Sequence, residues 1–186
     1  MRFTPPDRNE TLAYTLQQLS DFEDIRTLKH RYFRGIDTAD MGLLAGLFTE
    51  DVEVAYRGGT YEVFVKGRAE MLEFLANSFH SKAVAMHHGH MPEITLTGPD
   101  SADGIWYLED VFIDLSKHNH TIGSAIYTDR YQREDGVWRI AASAYDRVIE
   151  VIRPLSPDTV ISEHLLATKG RPFEDVKDIS HLIRWF

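Results

Sequence analysis

The chain has 186 residues and a net charge of −9, from 29 acidic against 20 basic side chains. That surplus repels phosphate backbones and anionic headgroups, so neither nucleic acid nor a membrane surface is an expected partner. The absence of cysteine excludes a disulfide framework, a thiolate nucleophile and a thiolate zinc site. No apolar run is long enough to cross a bilayer, and nothing after Met1 resembles a signal peptide, so a cytoplasmic protein is expected. With 43% apolar residues, one domain with a real core is expected over residues 1–152, followed by an extension over 153–186.

Residues 1–8, with two prolines, read as a loose arm. Ser20-Asp21-Phe22-Glu23 has the form of a capping box, and Ile25, Leu28, Tyr32 and Ile36 follow at helical spacing. A short second helix is predicted from Ala39 to Phe48. Asp51 to Tyr56 alternates as a strand, Arg57-Gly58-Gly59 turns it, and Tyr61 to Val65 returns. A third helix opens at Gly67 and buries Met71, Leu72, Leu75 and Phe79. Four long strands are then predicted over 84–97, 104–116, 121–133 and 137–151, joined as successive antiparallel hairpins. Helices first and a bent meander afterwards give an α+β fold, a curved sheet wrapped on helices with a pocket on its concave face. The extension holds a short helical pattern around Val160 to Ala167. Its apolar end, Ile179 to Phe186, is expected to pack on this subunit, on a neighbour, or at the pocket mouth.

Strand alternation sorts the chemistry onto faces. Trp106, Leu108, Asp110, Phe112 and Asp114 share one face, so Asp110 sits among large apolar groups and needs a partner or a proton. Ala141, Ser143, Tyr145 and Arg147 share another, a ligand floor with a polar end. Arg147 is a natural neutraliser for Asp110. Glu109 and Asp146 fall on the opposite faces. In Met86-His87-His88-Gly89-His90, His88 and His90 share a face while His87 takes the other, and Pro92 signals an irregularity. This spacing offers at most two same-face ligands and no carboxylate at a ligand offset, so no metal is expected. Local hydrogen bonds are the simpler role for His88 and His90.

The stretches Tyr32 to Asp37, Met86 to Thr95, Trp106 to Asp110, Tyr127 to Tyr131 and Tyr145 to Arg147 occur together in this order. By them the chain resembles the SnoaL-like branch of the nuclear transport factor 2 (NTF2-like) superfamily from about Asp21 to Val151. The likeness is greatest to the bile acid 7-alpha-dehydratases and more distant to scytalone dehydratase. It implies a cone-shaped α+β roll with an active site lined by Tyr32, Asp37, His87 and Asp110. Tyr56 and Arg147 would contact substrate, beside Trp106 and Tyr145. His88 stands where an apolar residue is expected, which implies a more polar pocket wall.

Such a site implies a cofactor-independent lyase, a dehydratase acting on a hydroxylated, largely apolar ring compound. His87 moves the proton, oriented by Asp110 or Asp37, while Tyr32 and Tyr56 stabilise a substrate oxygen. The same equipment also suits carbon–carbon cleavage releasing formaldehyde from a lignin-type diaryl propanediol, or a ketosteroid-type isomerisation. A binding or assembly module without chemistry is the non-enzymatic alternative. The resemblance further implies a homo-oligomer, a trimer ahead of a dimer.

Overall fold

The computed structural model describes residues 14–186; the arm read over residues 1–8 lies outside them. Helix α1 (Leu16–Asp37) starts one turn earlier than predicted. Its capping box is Thr15 with Gln18: the Thr15 hydroxyl accepts from the Gln18 N–H, and the Gln18 side chain accepts from the Thr15 N–H. The Ser20–Glu23 box does not form because Ser20 lies inside the helix, and Asp21 turns into the protein to accept from Arg133 and Trp138. Ala39, at φ 50°, breaks the chain, and Asp40 caps a helix shorter than expected, α2 (Met41–Ala45). Phe48 already belongs to β1 (Phe48–Arg57). β2 (Tyr61–Lys66) and α3 (Arg68–Ser78) follow.

The meander consists of β3 (Ala83–Gly98), β4 (Ser101–Asp114), β5 (Asn119–Glu134) and β6 (Val137–Pro154). After α4 (Leu166–Lys169) the chain ends in β7 (Ile183–Trp185). The seven strands form one sheet in the order β3-β4-β5-β6-β1-β2-β7, antiparallel except for the β1–β6 pair. Helices pack on one face of this curved, mostly antiparallel sheet, the NTF2-like α+β cone. The core lies between them, built from Ile25, Leu28, Ile36, Phe48, Met71 and Trp106 among others.

Bulges decide which residues face inward. Between Arg130 and Tyr131 the β5–β6 register shifts, so Ile140 and Ser143 are both buried. Ala141 is thereby displaced from the inner face where alternation had put it, and lines a groove with Arg130 and Asp103. A second shift beside Ser124 keeps Arg147 opposite Ala125 and Glu150 opposite Gly123. Near Pro92 the β3–β4 register also slips, with Met91 at φ 46°.

The helix expected around Val160 to Ala167 is shorter and later, Leu166–Lys169, and is followed by single 3-10 turns at Phe173–Asp175 and Ser180–Leu182. The extension is held to α3 by Arg171, which donates to Glu73 and Asn77 at 2.6 Å each. β7 lies antiparallel to β2, with Ile183 opposite Val63. Among the described residues no helix is long and apolar enough to cross a membrane.

Candidate active site

Asp37 is the last residue of α1, and the helix aims it at the middle of β3. One carboxylate oxygen accepts from the His87 backbone N–H at 2.9 Å, and the other lies 2.6 Å from His87 Nδ1. Two bonds to one residue fix both the strand and the ring. An ionised carboxylate only accepts, so in a neutral imidazole held this way Nδ1 carries the proton and Nε2 the lone pair. The imidazole packs edge-on against Phe79, with 10% of the side chain exposed. Gly89, two residues on, is required by packing: a Cβ there would come within 2.1 Å of the Phe33 ring.

Asp110 lies directly opposite His87 on β4 but pairs elsewhere. Arg147 grips it with both terminal nitrogens, Nη2 reaching Oδ2 at 2.9 Å. Gly123 leaves room for the guanidinium, since a Cβ would meet Nη1 at 2.8 Å. Glu150 lies 3.2 Å from Arg147 Nε on the other side. Burial opposes the arginine's charge, but the Asp110 hydrogen bonds and charge, with Tyr145 and Tyr61, together hold its pKa above the ordinary value. Of the two acids left open as His87's partner, Asp37 takes that place and Asp110 belongs to Arg147.

Four buried phenols, Tyr32, Tyr56, Tyr127 and Tyr145, cluster beside Arg147, whose guanidinium lies 5.5 Å from the Tyr145 ring centre. Tyr32 and Tyr56 share a hydrogen bond of 2.9 Å. Tyr56 stacks on Tyr145 at 4.5 Å between ring centres, and the Tyr145 hydroxyl bonds that of Tyr61 at 2.7 Å. Tyr127 packs edge-on against Tyr32, Tyr56 and Tyr145. Burial holds all four neutral, with pKa values raised above the ordinary 10. An imidazole with a free nitrogen, a fixed guanidinium and neutral phenols around an aromatic interior suit proton transfer on an apolar substrate.

The model of the SnoaL-like domain matches residues 17–144. The chain belongs to the SnoaL-like domain family. Hexachlorocyclohexane dehydrochlorinase 1 of Sphingobium indicum is 30% identical over 135 residues, covering 68% of this chain and 80% of that protein. Gamma-hexachlorocyclohexane dehydrochlorinase from the same species matches to the same degree. Among solved structures, a type 2 hexachlorocyclohexane dehydrochlorinase superposes with a TM-score of 0.69 at 22% identity, covering 78% of this chain and 96% of that one. A protein described as a scytalone dehydratase from Novosphingobium aromaticivorans reaches 0.64 at 17% identity, covering 86% and 97%. Like the dehydrochlorinases, this SnoaL-like protein is a lyase.

Contacts link Tyr32, Tyr56 and Tyr145 to Arg147 and through it to Asp110, and strand pairing sets His87, with its partner Asp37, opposite Asp110. Two other predicted residues sit differently. Trp106 is fully buried and donates through Nε1 to Tyr131 at 2.8 Å, a support rather than a wall. His88 projects from the outer face with His90 and Glu109, so it does not make the pocket wall more polar. Strand alternation is the reason, because Asp37 draws His87 inward and its neighbour must point out. The local hydrogen bonds expected for His88 and His90 are not formed among the described residues; His90 Nε2 lies 3.6 Å from Glu109.

One buried pair escaped the sequence reading. Lys29, on the inner face of α1, places its ammonium 2.7 Å from Asp129 Oδ2, with both side chains fully buried. Asp129 also accepts from the Ser143 and Tyr131 hydroxyls at 2.7 Å each. The ammonium lies 3.7 Å from the centre of the Tyr127 ring and 4.8 Å from that of Tyr32. Burial lowers the Lys29 pKa, while the Asp129 charge and hydrogen bond act in the other direction. The pair anchors the rear of the phenol cluster.

Proposed function

We propose that this lyase catalyses elimination of water from a hydroxylated, largely apolar ring compound, with His87 as the single proton carrier. The observation that carries the reading is the pair of hydrogen bonds that Asp37 accepts from His87, 2.6 Å from the ring and 2.9 Å from the backbone. It leaves His87 Nε2 as a base with a fixed direction. Nε2 takes a proton from the carbon next to the one bearing the hydroxyl. The C–H electrons become the new double bond as the C–O bond breaks, and the imidazolium returns its proton to the departing hydroxide as water. Asp37 stabilises the imidazolium in between. Tyr32 and Tyr56 hold a substrate oxygen where negative charge develops, and the Arg147–Asp110 pair lies at the polar end. No cofactor enters these steps.

The relatives favour a second leaving group. A dehydrochlorinase expels chloride, which needs no returned proton, and the same base and orienting acid suffice for it. Carbon–carbon cleavage with release of formaldehyde, or an isomerisation, would use the same base on other substrates. Water is kept as the first leaving group on the sequence resemblance to bile acid 7-alpha-dehydratases, whose motifs mark the branch and not one substrate.

The test is a panel of hydroxylated and chlorinated ring compounds, followed by mass spectrometry and chloride detection. A product lighter by one water, formed by the wild type and suppressed about 10²- to 10⁴-fold in His87→Ala, is expected. Chloride release alone would select the second reading, formaldehyde or an unchanged mass the others. Undiminished turnover in His87→Ala would refute the role of His87.

A further inference from the structure

The histidine cluster has an outer half with no part in this chemistry. His88 and His90 stand two residues apart on β3, so both leave the same face of the edge strand. The β3–β4 register sets Glu109 directly opposite His88. Sequence spacing alone provides two ligands; strand pairing adds the carboxylate. One ligand atom from each of the three side chains lies within 4.8 Å of the other two, and His90 Nε2 is already 3.6 Å from Glu109 Oε2. We propose that His88, His90 and Glu109 form a binding site for a divalent late-transition-metal ion, zinc foremost.

The chemistry of the donors suits such an ion. Two imidazoles and a carboxylate are borderline ligands that favour zinc, nickel or copper over magnesium or calcium. Tetrahedral zinc with bonds of about 2.0–2.2 Å needs its ligands about 3.3–3.6 Å apart. His90 and Glu109, at 3.6 Å, lie at the upper end of this span, and the third side chain is exposed. Within the paired segments 86–90, 107–111 and 122–126 there is no lysine or arginine to compete for the carboxylate. The neighbouring Met86, Val111, Ile122 and Ile126 carry no charge that would compete with the ion or its ligands. The ion would sit on the reverse of the strand from His87, outside the reacting site, bridging the sheet's edge strand to its neighbour.

Tag-free protein titrated with zinc chloride in a calorimeter tests this. One zinc per chain is expected for the wild type. Losing an outer-shell partner of a metal site already costs about 10- to 100-fold, so the ligand-deleting variants His88→Ala/His90→Ala and Glu109→Gln should each weaken binding at least about tenfold. All three positions are exposed, so the variants should keep the wild-type circular dichroism and melting temperature without metal. His118→Ala/His120→Ala, which removes the other His-x-His in the chain, should bind as the wild type does. Equal binding by the wild type and the His88/His90 variant would overturn the proposal. So would loss of binding in the His118/His120 variant, or one zinc shared among several chains.

Discussion

Replacing Lys29 by methionine tests whether the buried pair holds the rear of the site. Methionine fills nearly the same volume and adapts its shape, so the change isolates the charge. Both partners are wholly excluded from water, 2.7 Å apart. Removing one member of such a pair costs about 3–5 kcal/mol, because the remaining charge is stranded. Here Asp129 retains the Ser143 and Tyr131 donors, so the lower half of that range is expected, about 3–4 kcal/mol. With a urea slope of about 2 kcal/mol per M, the midpoint falls by about 1.5–2 M. Urea unfolding followed by tryptophan fluorescence reads this through the buried Trp106 and Trp138, at one fixed protein concentration. Adding Asp129→Asn to Lys29→Met should restore part of the loss, because no charge is then stranded. A pH series adds a signed check. The Lys29 pKa is lowered from 10.5 in the folded chain, so between its folded and unfolded values the unfolded chain binds more protons. Stability of the wild type relative to Lys29→Met therefore rises with pH in that window. A midpoint within about 0.5 M of the wild type, with no recovery in the double variant, would refute the reasoning.

Other expectations follow from the same geometry. Asp37→Asn keeps the shape but offers His87 the wrong tautomer, so turnover of any eliminated substrate should fall by about 10⁴ while binding changes little, read as a kcat effect in steady-state kinetics. Gly89→Ala drives a methyl into Phe33 at 2.1 Å and should destabilise by about 1–3 kcal/mol in the same urea assay. Burial raises the pKa of Tyr32, Tyr56, Tyr127, Tyr131 and Tyr145 above 10. Their contribution is complete below pH 10 and lost as pH climbs, so alkaline unfolding should release a cooperative burst of phenolate absorbance. Glu73 is lowered to about 2, chiefly by the Arg171 hydrogen bond. That contribution is present above its ordinary 4.5 and lost as pH falls towards 2, so Arg171→Ala should speed hydrogen exchange over residues 171–177 and flatten the acid dependence.

Much of the frame was legible because period-two and helical patterns are physical constraints on which side chains can share a core. Alternation put Asp110 beside Trp106 and Leu108, and Arg147 beside Ser143 and Tyr145, and both acid and base do face inward. Alternation could not say whether His87 or the pair His88 and His90 turned inward. That depended on Asp37, fifty residues away in the chain. The start of α1 was misplaced because Thr15–Gln18 and Ser20–Glu23 obey the same capping grammar, and only Arg133 and Trp138 withdraw Asp21 from the second. Ala141 was misplaced because a bulge costs one residue and leaves no mark in composition. Lys29 did leave one. It lies four residues after Ile25 and four before Phe33, on the apolar stripe, just as Asp129 alternates with Tyr127 and Tyr131. A lysine at a stripe's edge usually carries its charge out to water, and only the fold reveals that this one has an acid to meet.

Apart from Asp21, which meets Arg133, three interior acids at or beside the site each have their own basic partner: Asp37 with His87, Asp110 with Arg147, Asp129 with Lys29. Desolvation demands pairing for all three, so pairing alone does not mark a catalytic group. Access and proton chemistry separate them. Lys29 and Asp129 are sealed off, and Asp110 is nearly so at 3% side-chain exposure. Arginine does not release its proton, and a lysine sealed behind aromatic rings has no route to a substrate. The Asp37 and His87 side chains keep 24% and 10% exposure, and an imidazole exchanges its proton readily near neutral pH. Of the three pairs, only this one is both reachable and able to take a proton and give it back. A substrate-bound structure with its reacting carbon beside Arg147 or Lys29, and not within reach of His87 Nε2, would reverse that assignment.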